Sequence, residues 1–197
     1  MTLNLLLSLM GFAFVTSVTP GPNNMMLLAS GANFGLRRTV PHLLGVALGF
    51  GAMAFVMGLG LAQLFRSWPP IELGFKIVAA LYMLWLASKI ARAAAPKAEM
   101  DAEARPISFL QAAAFQWVNP KAWAMALTAV TVYASSPAPW AIASVAAVFT
   151  VVNLPSVTLW AWAGQALRRW LTTPSRLRVF NWTMAVLLIA SLWPVLA

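Results

Sequence analysis

The sequence predicts an all-α integral membrane protein with six transmembrane helices. They form two inverted three-helix repeats, each opening with a broken first helix. Three observations lead there. The 197-residue chain is 61% hydrophobic and 9% charged, whereas soluble domains carry about a quarter charged residues. Runs such as Leu3–Val18, Val40–Phe65 and Phe180–Trp193 hold at most one charge each and match the ~20 residues that cross a bilayer core. Finally, a proline interrupts an apolar segment twice, at Pro20 and at Pro120, one hundred positions apart. A soluble core could not hide that much apolar surface.

Span one covers about 3–31. No Lys or Arg precedes Leu3 and no small-x-small pattern follows the run, so it is expected to be a membrane span and not a cleaved signal. As one straight helix, 3–31 would reach about 43 Å at ~1.5 Å per residue, longer than a ~30 Å hydrocarbon core. Within it, "VTSVTPGPNNMMLLASG" (15–31) places Pro20 and Pro22 around Gly21. Each proline removes a backbone bond and clashes with the preceding turn, so the helix is expected to break there. Spans two and three follow at 40–65 and 71–91. The joint, "ARAAAPKAEMDAEARP" (91–106), holds three of the four acids, Glu99, Asp101 and Glu103. Span four, 107–134, is interrupted at Pro120. Span five, 139–166, contains Asn153 and Pro155, which are expected to kink it beside a cavity or, for Asn153, to bond a neighbouring helix. Span six is 177–196. The whole of 1–197 reads as one transporter domain: repeat one about 1–91, a cytoplasmic linker 92–106, and repeat two about 107–197.

The net charge of +9 is an orientation signal and not a nucleic-acid footprint. Arg37 and Arg38 fall in the first loop, Lys89, Arg92, Lys97 and Arg105 in or beside the third, and Arg168, Arg169, Arg176 and Arg178 in the fifth. Those ten of thirteen basic residues share one side, Arg66 lies in the second loop, and Lys76 and Lys121 fall within spans. Basic loops stay cytoplasmic, so both termini should be periplasmic. Trp68, Trp140 and Trp193 then fall on the outer side, as an aromatic belt or simply as packed tryptophans.

The halves resemble each other around their breaks. "FVTSVTPGP" (14–22) and "AFQWVNPKA" (114–122) align Val18 with Val118 and Pro20 with Pro120. Three spans per half force the second half to enter from the opposite side, the arrangement in which paired broken helices mark a substrate site near the midplane. Freed backbone groups cost several kcal/mol each in hydrocarbon, so such breaks belong beside a polar cavity or a neighbouring helix. The amides near Asn23 and Asn24 open a half-helix whose positive end attracts anions. The carbonyls before it, near Thr16 to Thr19, can take a cation. An amino-acid zwitterion offers both charges. Lys121 is the clearest charge inside a span and a functional candidate by default, with snorkelling to an interface as the alternative. Gln116, Asn119 and Lys121 are expected to line the cavity opposite the first break.

Other classes fit poorly. The chain has no cysteine and one histidine, so disulfides, thiol catalysis and Cys-based metal sites are excluded. It lacks His-Glu-x-x-His, Gly-x-Ser-x-Gly and any mid-membrane carboxylate, which argues against an intramembrane enzyme. A metal-ion or other small-solute carrier of the same architecture is the alternative, with Glu72 as its one acidic candidate. No metal and no cofactor are expected. Met25 and Met26 read as packing residues. His42 suits an interfacial structural role or a proton relay. Gly31-x-x-x-Gly35 and Gly45-x-x-x-Gly49 permit close helix contact, within the chain or in a homodimer.

"TPGPNNMMLLASGANFGLRRTVPHLLGVALG" (19–49), "AALYMLWLASKI" (79–90) and "RPISFLQAAAFQWVNPKAW" (105–123) together resemble the LysE/RhtB family of amino-acid exporters. The similarity extends over essentially the whole chain. The Pro-Asn-Asn variant and "FQWVNPK" look most like the branch that exports cysteine and O-acetylserine. The resemblance implies a small bacterial inner-membrane exporter of amino acids or their metabolites, working as a secondary carrier with proton antiport, and no enzyme. It carries over Thr19, Pro20, Gly21 and Pro22, and separately Asn119, Pro120 and Lys121, as site residues; with Asn23, Asn24 and Gln116 they form the expected substrate site. No buried carboxylate is present to carry a proton, which leaves Lys121, His42 or the substrate itself. His42 after Pro41 departs from the family pattern.

Overall fold

A computed structural model describes residues 1–61, 69–93 and 105–190, and these contain eight α-helices and no strand. Helix α1 (Leu3–Val18) starts on a Thr2 cap and ends where Pro20 can supply no N–H; Thr19 turns extended there, its own N–H bonded to the Val15 carbonyl. Helix α2 (Pro22–Phe34) restarts with Pro22 in its first turn, the position where a missing N–H costs nothing. The two are bent by 59° across the break. Gly35, at φ 78°, divides α2 from α3 (Leu36–Val56), a backbone region glycine adopts without a Cβ penalty. A π-helical turn, Met57–Leu61, extends α3.

Helix α4 is Pro69–Ala91. Helix α5 (Phe109–Gln116) opens with a reciprocal capping box between Ser108 and Gln111, which satisfies two otherwise unpaired N–H groups. Asn119 caps α6 (Pro120–Tyr133), with Pro120 again in the first turn. The second expected break is therefore also present, between Gln116 and Pro120. Helices α7 (Pro139–Leu167, with Pro155 inside it) and α8 (Pro174–Ala190) complete the order.

Each broken pair packs on a helix of the other half: α1 and α2 on α7, α5 and α6 on α3. In addition α3 meets α7, and α4 meets α8. Small residues bring these backbones together, as expected where lipid offers no hydrophobic drive between helices. A Cβ on Gly31 would lie 2.0 Å from the Ala161 carbonyl oxygen, and one on Gly164 would lie 2.1 Å from that of Leu28. Gly45 and Gly49 abut Phe109, Ala112 and Ala113 of α5 in the same way, so this glycine motif is used within the chain.

Two apolar clusters result. One gathers Met26 and Leu27 of α2 with Ala112 and Phe115 of α5, plus Met83, Leu86 and Leu188. The other gathers Leu9 and Ala13 of α1 with Ala122 and Ala126 of α6, plus Phe50 and Phe149. The breaks thus sit at the junction of the two cores, with α1 beside α6 and α2 beside α5.

Among the described residues, Leu36–Gly60 and Pro139–Leu167 are long and apolar enough to cross a membrane singly, and the bent pair α1–α2 passes as a third. Several ends converge. Gln165 accepts from the Leu36 N–H at 2.6 Å, and Asn181 bonds both Asn33 and the Ala93 carbonyl. This brings together the chain just before the first basic loop, the chain beside the third, the end of α7 and the middle of α8. Residues 94–104 of the linker, Arg66, Trp68, Lys97 and Trp193 lie outside the described residues, as do the side chains of Glu72 and Lys76.

Candidate functional site

The carbonyls around the first break are each met by a side chain from elsewhere in the fold. Pro22 has no N–H to offer the Val18 carbonyl, which accepts instead from the indole of Trp160 on α7, at 3.1 Å. Asn24 reaches back over the break, its amide donating to the carbonyls of Ser17 and Thr19 at 2.8 Å each. Lys121 Nζ, from the other break, donates to the Thr19 carbonyl at 2.6 Å and to that of Pro20 at 3.3 Å. The Thr19 hydroxyl turns inward to its own helix, donating to the Val15 carbonyl. A double-proline interruption in an apolar segment is tolerable because of these donors.

A second link joins the breaks. Asn23 and Gln116 exchange amide hydrogen bonds, Asn23 Nδ2 to Gln116 Oε1 at 2.8 Å and Gln116 Nε2 to Asn23 Oδ1 at 3.1 Å. Gln116 is fully buried and also donates to the Ala112 carbonyl. Asn119 is buried, and its Oδ1 accepts the Lys121 backbone N–H at 3.1 Å. That bond fixes the start of α6, so the Lys121 side chain leaves from a rigid turn. Its stem runs across Gly21, where a Cβ would meet Lys121 Cδ at 2.7 Å. Gly21 itself is fully extended, at φ −178°; space, not conformation, is what calls for glycine.

Ser17, Asn23, Asn24, Asn119, Lys121 and Asn153 supply most of the polar lining of a cavity of about 20 Å³, enough for one water. Phe50, Met125 and Val157 form part of its apolar wall. Asn153 donates to the Ser17 hydroxyl at 3.1 Å, and its buried Oδ1 has no partner among the described residues. The ten expected site residues thus gather at one place. Thr19 and Pro20 contribute carbonyls from an exposed edge, Pro22 and Pro120 set the helix starts, and the others touch the cavity or bridge the two breaks. Ser17 and Trp160 were not anticipated. A serine one turn before a proline break was a legible hint, whereas a tryptophan 142 residues downstream gave none.

His42 lies elsewhere. It is fully buried in α3, with Nδ1 3.0 Å from the Ser30 hydroxyl of α2 and Nε2 without a partner among the described residues. It therefore packs inside the bundle, between α2 and α3. Near it, Asn33 and Asn181 form a second reciprocal amide pair, and Lys89 donates to Gln111.

Comparison with known proteins identifies the family. The family described as LysE type translocator matches residues 14–191. The chain belongs to this family. Its relatives include the cysteine/O-acetylserine efflux protein of Escherichia coli O139:H28, 30% identical over 193 residues and 96% of each chain. The protein of that name from Klebsiella pneumoniae is 30% identical over 196 residues, 96% of this chain and 95% of its own. That from Salmonella typhimurium is 31% identical over 173 residues, 86% and 87% of the two chains. No solved structure matches. Membership makes the protein a membrane translocator of the amino-acid efflux type, and its apolar helices accord with that.

Proposed function

We propose that this LysE-type translocator exports small neutral amino acids or closely related metabolites across the bacterial inner membrane, as a secondary carrier driven by the proton gradient. The paired breaks carry this reading. The N-terminus of α2 and the ammonium of Lys121 receive the substrate carboxylate, while the carbonyls of Thr19 and Pro20 receive its ammonium. Among the described residues, the cavity lining contains one charged side chain, Lys121, and no acid. A basic side chain on the substrate would face repulsion there, with nothing to pair it. Cysteine and O-acetylserine, which appear in the relatives' names, are zwitterions with neutral side chains and head the list of substrates to test.

The packing pattern supports six spans in two inverted repeats. Exchanging the halves maps α1 and α2 on α7 onto α5 and α6 on α3, and leaves the α3–α7 and α4–α8 contacts in place. The two apolar clusters exchange broken-helix halves in the same antiparallel sense. The convergence of Leu36 with Gln165, and of Ala93 with Asn181, supports one shared side for the basic loops, cytoplasmic by the positive-inside rule.

Uptake into inside-out membrane vesicles tests the function. Cysteine, O-acetylserine and serine should accumulate faster when a proton gradient is imposed, and lysine and arginine should not. Uptake of no amino acid above carrier-free vesicles would overturn the exporter reading. Uptake indifferent to the gradient would overturn the proton coupling alone.

A further inference from the structure

We infer that the Lys121 ammonium is a tethered cation that competes with the substrate's ammonium for the carbonyls of Thr19 and Pro20, and that it frees them by moving to the substrate's carboxylate. This rests on the proposed carrier function and specifies how its site is loaded.

Three features of the site support the exchange. The two carbonyls lie just past the C-terminal end of α1, where the helix dipole favours a positive charge, and Lys121 already fills that place at 2.6 and 3.3 Å. A substrate ammonium would seek the same oxygens. The Lys121 stem and ammonium line the cavity and occupy the carbonyls a substrate would use, so loading requires the ammonium to leave them. The backbone around the carbonyls is held by Pro20, Pro22, Asn24 and Trp160, and the Lys121 backbone is held by Asn119. The lysine stem is the mobile part, a flexible four-carbon chain with three rotatable donors. The swing conserves charge pairing. A zwitterion brings one cation for the carbonyls and one anion for the displaced ammonium. The substrate then replaces the direct link between α6 and the first break with a bridge through itself.

Gly21 belongs to the same device, because the Lys121 stem lies where its Cβ would be. Gly21→Ala should push the lysine off the carbonyls without removing its charge, and the extended backbone accepts alanine. The test measures binding to the purified, lipid-reconstituted carrier with cysteine, cysteamine and 3-mercaptopropionate under reducing conditions. Cysteamine keeps the ammonium alone, and 3-mercaptopropionate keeps the carboxylate alone. In the wild type, cysteamine should bind poorly. In both Lys121→Gln and Gly21→Ala it should bind about tenfold more tightly, as expected if the lysine holds the carbonyls about nine-tenths of the time. Lys121→Gln should lose 3-mercaptopropionate and weaken cysteine, whereas Gly21→Ala should keep the acid. Cysteamine affinity unchanged in both variants would overturn the competition. Acid binding that survives Lys121→Gln would overturn the carboxylate half of the exchange, even with the cysteamine result as expected. Failure of every probe on every form, with no vesicle uptake, would overturn the carrier reading and this inference with it.

Discussion

Gln116 has both ends of its buried amide committed, to Asn23 and to the Ala112 carbonyl. Gln116→Leu would leave the Asn23 amide facing an apolar group. Interhelical polar contacts in membranes are worth about 1 kcal/mol, so the unfolding temperature in detergent should fall modestly. Adding Asn23→Leu should recover part of that loss, and a double variant no better than the sum of the singles would show that the pair does not interact. Steric effects at glycines should be larger. Gly31→Ala would drive a Cβ into the Ala161 carbonyl, whereas Gly11 has nothing within 4 Å of its would-be Cβ. Overpacking costs about 1–3 kcal/mol, so Gly31→Ala should lower thermal stability clearly and Gly11→Ala should not. The prolines and the charge at Lys121 were legible from residue type alone. Position beside the breaks added Gly21, Asn23, Asn24, Gln116 and Asn119, whereas Ser17 was missed and Asn153 left open, because a serine or asparagine in an apolar segment looks alike whether it lines a cavity or bonds a helix.

The broken helix shows where element-level reading ends. Pro20 and Pro22 favour a stop of α1 and a start of α2 at Pro22, since two N–H groups are lost within three residues, whereas the single Pro155 stays inside α7. They do not say which donors replace the lost ones. Trp160 takes that role for Val18 because α7 lies against α1 and α2. Trp160→Phe keeps an aromatic side chain of smaller size and removes the donor, and should cost at least the ~0.5–1.5 kcal/mol of one hydrogen bond in denaturation of the reconstituted protein. Trp162→Phe is the control, since Trp162 is 58% exposed on the same helix. Equal stability of the two variants would show that the Val18 bond contributes nothing. Expected span four divides as anticipated, into α5 and α6 on either side of Asn119.

For the whole molecule, orientation is the property with the simplest test. The proposed six-span arrangement puts both termini in the periplasm and the loops near Arg37, Lys97 and Arg169 in the cytoplasm. Reporter fusions at residues 68 and 138 should read as external; an internal signal at both would refute the arrangement. Composition and the two proline breaks were enough to predict an all-helical membrane chain with interrupted helices, because backbone groups in lipid must bond internally and proline prevents that locally. Those constraints act within a few residues and are therefore written in the sequence. The pairing of α1 with α6 and α2 with α5, the use of Gly45 and Gly49 against α5, the burial of His42 against Ser30, and the contact of Lys121 with the Thr19 carbonyl were decided by tertiary structure. Each depends on which helix faces which, over separations from 12 residues for Ser30–His42 to 102 for Thr19–Lys121 and more for α1 against α6, and apolar helices in lipid carry no local signal that selects their neighbour. Close packing of small residues makes that choice, and it becomes visible only when both surfaces are placed together.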